Sequence, residues 1–154
     1  MLPLNKILCP TDFSEPSYKA LKVANDLALQ FSSELTVIHI ISPGQIFPAA
    51  QGFQPGAAGY ASADITAEIQ KHAQKSLDMI LKEKVSSEIK SLHALFQGNP
   101  SEGITTYAEE HDIDAIVIGT HGYTGWRHLL IGSVTEKVVR SSPCPVLTIP
   151  ADKE

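Results

Sequence analysis

The sequence predicts an α/β domain built on a parallel sheet with helices on both faces, and three observations carry that prediction. Strand-like apolar runs alternate with segments of helical period from Lys6 to Ile149. The run Leu35-Thr-Val-Ile-His-Ile-Ile41 is too continuously apolar for a strand wetted on one side and suits a central strand covered on both. Finally, Gly119-Thr120-His121-Gly122, nine further residues, and then Gly132-Ser133 stand where an apolar strand gives way to a helix. That is where α/β chains hold phosphate groups, because glycine lets the backbone approach a ligand and the first N–H groups of a helix attract an anion.

The elements follow in order. Lys6–Pro10 reads as a short buried strand, with Ser14 and Pro16 opening a helix whose stripe is Ala20, Leu21, Ala24, Leu27, Ala28 and Phe31. Leu35–Ile41 is the second strand. Ser42 to Ser62, rich in Gly, Pro and Ala, shows neither period and is expected to be a mobile loop, placed either to close over the site as a lid or to remain plainly disordered. Ile65, Ile69, Ala73, Leu77 and Ile80 mark the buried stripe of a second helix, and Ile89 to Phe96 supplies a third strand. Asn99-Pro100-Ser101-Glu102 is a helix N-terminus with an Asn cap and Pro in the first turn. Ala115–Gly119 is the fourth strand, Ser133 to Arg140 the last helix, and Pro145–Ile149 a fifth strand between prolines.

The 154 residues form one domain, 1–154, with 43% hydrophobic and 19% charged residues, enough to bury a sizeable core. A formal charge of −5 argues against nucleic acid or an anionic membrane as partner, since both need a basic field. The N-terminal apolar stretch meets Pro10 and Asp12 too soon for a signal-peptide core, so a cytoplasmic location is expected. Cys9 and Cys144 have no metal-ligand spacing and are expected to be reduced and packed.

A doubly wound sheet of order 2-1-3 or 3-2-1-4-5 reverses its winding beside strand one and opens a crevice at that strand's carboxyl end. Strand one ends in Pro10-Thr11-Asp12. In the order 3-2-1-4-5, strand four, ending in Gly119-Thr120-His121-Gly122, is its neighbour, and Ile40 and Ile41 close strand two beside both. This placement assigns a base to the aliphatic end of strand two and a ribose, amino group or metal-linked water to Asp12. Sugar and phosphates fall to the Gly119 and Gly122 backbone, and terminal phosphates to Gly132-Ser133. The spacing is neither the dinucleotide fingerprint nor the P-loop, and no Lys follows Gly132.

From Lys6 to Ile149 the chain resembles the universal stress proteins of the UspA type. The resemblance is carried by Ile7-Leu-Cys-Pro-Thr-Asp-Phe-Ser14, Gly98-Asn99-Pro100, Gly119-Thr-His-Gly-Tyr-Thr-Gly125, Leu129-Leu-Ile-Gly-Ser-Val134 and Pro143-Cys-Pro-Val-Leu147. It implies a Rossmann-like five-stranded parallel sheet of order 3-2-1-4-5 and a homodimer joined through the last strand, Val146, Leu147, Thr148 and Ile149. It also implies membership of the ATP-binding subgroup, which keeps the complete glycine motif. Carried over by position, Asp12, Ile40, Gly119, Gly122, Gly132, Ser133 and Val134 would line ATP, with Mg2+ or Mn2+ on its phosphates and no direct protein ligand to the metal. Pro10, Thr11, Thr120 and His121 flank these positions and complete the candidate set. The implied role is a nucleotide-dependent stress-response regulator with an unknown protein partner.

Plainer readings stand beside these. Ser133-Val-Thr-Glu136 has the pattern of a capping box, Asp12 or Ser14 would cap the first helix, and His121 would be a solvated turn residue. An interaction protein with a dispensable nucleotide is one alternative. A slow ATP hydrolase is another, although no Lys, arginine finger or carboxylate base adjoins the expected terminal phosphate. Asp12, His121 and Ser133 would serve as acid, base and nucleophile only if they met in the crevice, and Ser133 lacks the Gly-x-Ser-x-Gly elbow.

Overall fold

The computed structural model describes residues 3–46, 63–121 and 131–151. Along the chain run β1 (Lys6–Pro10), α1 (Glu15–Phe31), β2 (Glu34–Ile41), a single turn α2 (Pro43–Ile46), α3 (Ala63–Lys84), β3 (Ser91–Gln97), α4 (Pro100–Glu110), β4 (Ala115–Gly119), α5 (Ser133–Ser141) and β5 (Val146–Ile149). The strands form one sheet of order β3-β2-β1-β4-β5, and every neighbouring pair is parallel.

Strand alternation sorts the core into two layers. Ile7, Cys9, Leu35, Val37, Val117 and Ile149 face α1 and α3, where Ala20, Leu21, Ala24, Ala28, Leu77 and Ile80 meet them. Leu8, Ile38, Ile40, Ile116 and Ile118 face α4 and α5, where Ile104, Ala108 and Val138 meet them. The first helix buries the small-residue stripe expected of it, with Leu27 partly buried against the same cluster. The second helical stripe is shorter than its period suggests, because Ile65 is 52% exposed at the start of α3. β3 begins at Ser91, and Ile89 packs against the core just ahead of it. Both cysteines are free; Cys9 is fully buried and its thiol is pushed up to about 12 by that burial.

Register positions the crevice. Pro10 at the end of β1 pairs with Ile38, while β2 runs on to Ile41 paired with Gln97 of β3. His39, Ile40 and Ile41 therefore overhang the end of β1 as one wall. On the other side β4 ends at Gly119, paired with Ile149. Of the expected 42–62 loop, Pro43–Ile46 forms one helical turn; the lid reading concerns residues 47–62, which lie outside those described, as does Gly122.

Among the described residues no helix is long and apolar enough to cross a membrane.

Candidate nucleotide site

A cavity of about 370 Å3 opens at the carboxyl ends of β1, β2 and β4. Pro10, Thr11, Asp12, Ile40, Gly119, His121, Gly132, Ser133 and Val134 all line it, so segments more than a hundred residues apart converge where the winding reverses. Thr120 does not: it is 7% exposed, takes Ile149 as the acceptor of its N–H at 2.9 Å, and accepts the Gly132 N–H at 2.6 Å. It joins β5 to the head of α5. Helix-on-sheet packing adds Ser17, Pro100, Ile104 and Thr135, which local sequence pattern does not assign to a site.

Thr11 organises the loop after β1. Its N–H donates to the Ile38 carbonyl at 2.9 Å, and its carbonyl accepts from His39 Nδ1 at 2.7 Å. Its hydroxyl accepts the Phe13 N–H at 3.0 Å and lies 2.9 Å from Ser17 Oγ. Ser17 gives its own proton to the Ser14 carbonyl at 2.8 Å, so the Thr11 hydroxyl is the donor between the two. Thr11 is therefore a positioning residue, spent on the protein. Ser14, the rival to Asp12, is the N-cap of α1, and its N–H and hydroxyl both donate to Asp12 Oδ1. The Asp12 carboxylate is thus oriented at the cavity wall by the cap.

Phe13, next in line, holds φ 62 in the left-handed region. A bulky residue there costs about 1–2 kcal/mol, so its neighbours must enforce the turn. Two contacts do so: the bond to Thr11 and the packing of its ring on His39, with centroids 4.5 Å apart.

The head of α5 departs from the capping-box pattern. Gly132, not Ser133, is the N-cap, and among the described residues no side chain caps this helix. The reason is register: with the helix starting one residue earlier than the box requires, Thr135 takes the third position and spends its hydroxyl on the Gly119 carbonyl at 2.7 Å. By contrast Ser14 caps α1, and Asn99 caps α4 by accepting from Ser101 and Glu102. Gly132, Ser133, Val134 and Thr135 all line the cavity, so the one uncapped end of the three opens into it.

The glycines serve packing as well. A Cβ at Gly119 would stand 3.0 Å from the Pro16 carbonyl oxygen, and one at Gly132 would stand 3.1 Å from that of Thr120. Gly132 has φ −68, so it is required by close approach rather than by left-handed backbone. Asp12, His121 and Ser133 do share the cavity; His121 Nδ1 lies 2.9 Å from Thr120 Oγ1, and Asp12 accepts from Ser14. Among the described residues no three His, Cys, Asp or Glu side chains cluster as a metal set.

The profile of the universal stress protein family matches residues 3–150. The chain belongs to the universal stress protein family. Universal stress protein MJ0531 of Methanocaldococcus jannaschii is 31% identical over 151 residues, covering 97% of this chain and 84% of the relative. The solved structure of MJ0577, a universal stress protein of the same organism, superposes with a TM-score of 0.83 at 29% identity, covering 98% and 99% of the two chains. UspA from Lactobacillus plantarum superposes with a TM-score of 0.77 at 25% identity, covering 95% and 97%. The fold, its strand order and the family read from the sequence agree with these likenesses.

His39 gives this site a pH signature. Burial holds its imidazole below the usual 6.5, against the opposing pull of the Thr11 bond and the Asp12 charge. The unfolded chain therefore takes up a proton first, and the native state loses stability as pH falls below the unfolded value. The melting temperature of the native protein is expected to drop between about pH 7 and about pH 5, and His39→Gln is expected to flatten that drop. Parallel profiles for the two proteins, measured by thermal unfolding, would contradict the assignment.

Proposed function

We propose that this universal stress protein binds a nucleoside phosphate, ATP in the first instance, and acts as a nucleotide-dependent stress-response regulator. The head of α5 carries the reading: its N–H groups require acceptors, no side chain among the described residues caps them, and they border a cavity at the switch point. The remaining walls suit the rest of a nucleotide. Ile40, Ile104, Ile118 and Pro100 offer an apolar surface for a base, while Asp12 offers an oriented acceptor for a ribose hydroxyl or an amino group.

A polyphosphate beside Asp12 would meet like charge, and a divalent cation such as Mg2+ or Mn2+ on the phosphates relieves it, with Asp12 reaching the metal through water. When bound, that ion supplies charge neutralisation. The described lining contains no Lys or Arg and no metal set, which favours retention of the nucleotide over fast turnover. A slow hydrolase remains the second reading, separated by a phosphate-release assay.

Assembly is the other half of the proposal. β5 is an edge strand of four residues, and an unpaired edge is a template for another chain. Within it Leu147 is 45% exposed, whereas Ile149 is already buried in its own protomer, so Leu147 rather than Ile149 is the apolar contact available to a partner. A homodimer through β5 would place Val146, Leu147 and Thr148 at the two-fold. The opposite edge, β3, exposes Leu92 and Phe96 and is the rival interface.

Ser133→Pro is the sharpest test of the phosphate reading. Proline is well tolerated at the first helical position, and the preceding Gly132 has the extended ψ of 155 that proline demands. The variant is expected to melt like the native protein and to bind ATP with Mg2+ roughly tenfold to a hundredfold more weakly, the loss of one charge-assisted bond of ~1.5–3 kcal/mol. Undiminished affinity in calorimetry would place the phosphates elsewhere.

Leu147→Lys tests the interface. Light scattering is expected to show the native dimer shifting toward monomer in this variant and not in Leu92→Lys. The opposite pattern would move the interface to β3.

A further inference from the structure

Gly103 is a residue that α4 itself does not call for. It sits in regular helix, its N–H donating to the Asn99 carbonyl at 2.9 Å, and alanine is the better helix former at such a position. Gly103 does not line the nucleotide cavity, although Pro100 and Ile104 of the same helix do. What it faces is a single side chain. A Cβ at this position would stand 2.8 Å from Ile40 Cδ1, 3.3 Å from Cγ1 and 3.6 Å from Cγ2, and these are its three nearest atoms.

Ile40 is the wall at the carboxyl end of β2, 7% exposed, and belongs to the apolar surface offered to a base. Its terminal methyl lies where a Cβ on α4 would otherwise keep it away. Carbon atoms pack at about 3.5–4.0 Å, so a methyl added at residue 103 must displace Ile40. Turning χ2 alone would move Cδ1 and still leave Cγ1 at 3.3 Å, so the whole side chain has to give. Ile40 shares its core cluster with Leu8, Ile38 and Ile104, and the space open to it is the cavity. At about 370 Å3 that cavity is near the small end of ligand sites, which run from ~300 to ~1,000 Å3, and the room of one methyl group counts there.

We propose that Gly103 is a specificity-determining positioning residue: by giving Ile40 room against α4, it keeps the base pocket wide enough for a two-ring purine. The inference rests on the nucleotide reading of this cavity and adds to it the residue that sets the width of the base end. Gly103 touches no ligand and acts through Ile40 alone. A methyl group added outside the cavity therefore narrows it from behind, and a two-ring base loses more than a one-ring base.

The test is Gly103→Ala in nucleotide-free full-length protein, titrated calorimetrically with ATP and with UTP, each with Mg2+. The melting temperature is expected to hold or rise, because alanine favours the helix and the atoms displaced belong to one side chain. ATP affinity is expected to fall roughly tenfold and UTP affinity no more than about threefold, a change of preference that simple loss of structure would not produce. Ile40→Val removes Cδ1, and in that background the same substitution is expected to change ATP affinity by less than about twofold. In a native protein that binds ATP, undiminished affinity in Gly103→Ala, equal losses for the two nucleotides, or the same loss in the Ile40→Val background would overturn the role of Gly103 and leave the nucleotide reading standing. A native protein that binds neither nucleotide would overturn that reading, and the purine pocket with it.

Discussion

Everything at the carboxyl edge of this sheet depends on how Thr11 is held. A single residue past the end of β1 ties its N–H to β2, its carbonyl to His39, and its hydroxyl to both Phe13 and the first turn of α1. Those bonds let β1 stop three residues short of β2 without leaving buried backbone groups unmet. The shortfall is the crevice. The same bonds enforce the left-handed Phe13, and that turn carries the chain from strand to capped helix while leaving Asp12 on the cavity wall. Strain at one residue is thus offset by four hydrogen bonds at another.

The three helices whose first turns border the nucleotide cavity divide the work. α1 and α4 bring their own caps, Ser14 and Asn99, and are complete as folded. α5 begins at Gly132, which has no side chain to offer and no room for one against the Thr120 carbonyl. A glycine demanded by packing therefore also leaves the helix head without a capping side chain among the described residues, so packing and the proposed anion affinity share one cause.

Much of this was legible in the sequence, for reasons that lie in range. Strands and helices were readable because alternation and the 3.6-residue period are local, as the Leu35–Ile41 run and the Ala20–Ala28 stripe illustrate. Strand order was not local; the residues left 2-1-3 and 3-2-1-4-5 open, and the family resemblance favoured the second. Pro10, Asp12, Ile40 and Gly119 line the cavity because they sit at or just past strand ends, and Gly132, Ser133 and Val134 because they open a helix. Ser17, Ile104 and Thr135 were missed because helix packing, not motif spacing, delivers them. The head of α5 was left open between two readings, since Ser-Val-Thr-Glu fits a capping box as well as a phosphate cradle, and one residue of register decides between Ser133 and Gly132 as the cap. His39 did leave a signal: an imidazole inside an otherwise aliphatic run must find a buried partner, and it finds the Thr11 carbonyl.

The central claim is that the chain cradles a nucleoside phosphate at the head of α5. Its most direct test is to denature freshly purified protein, identify any released small molecule by mass, and titrate ATP with Mg2+ into the stripped protein. The account predicts a carried adenine nucleotide or saturable binding to one site per chain. Neither a carried nucleotide nor measurable affinity in the stripped, folded protein would contradict it.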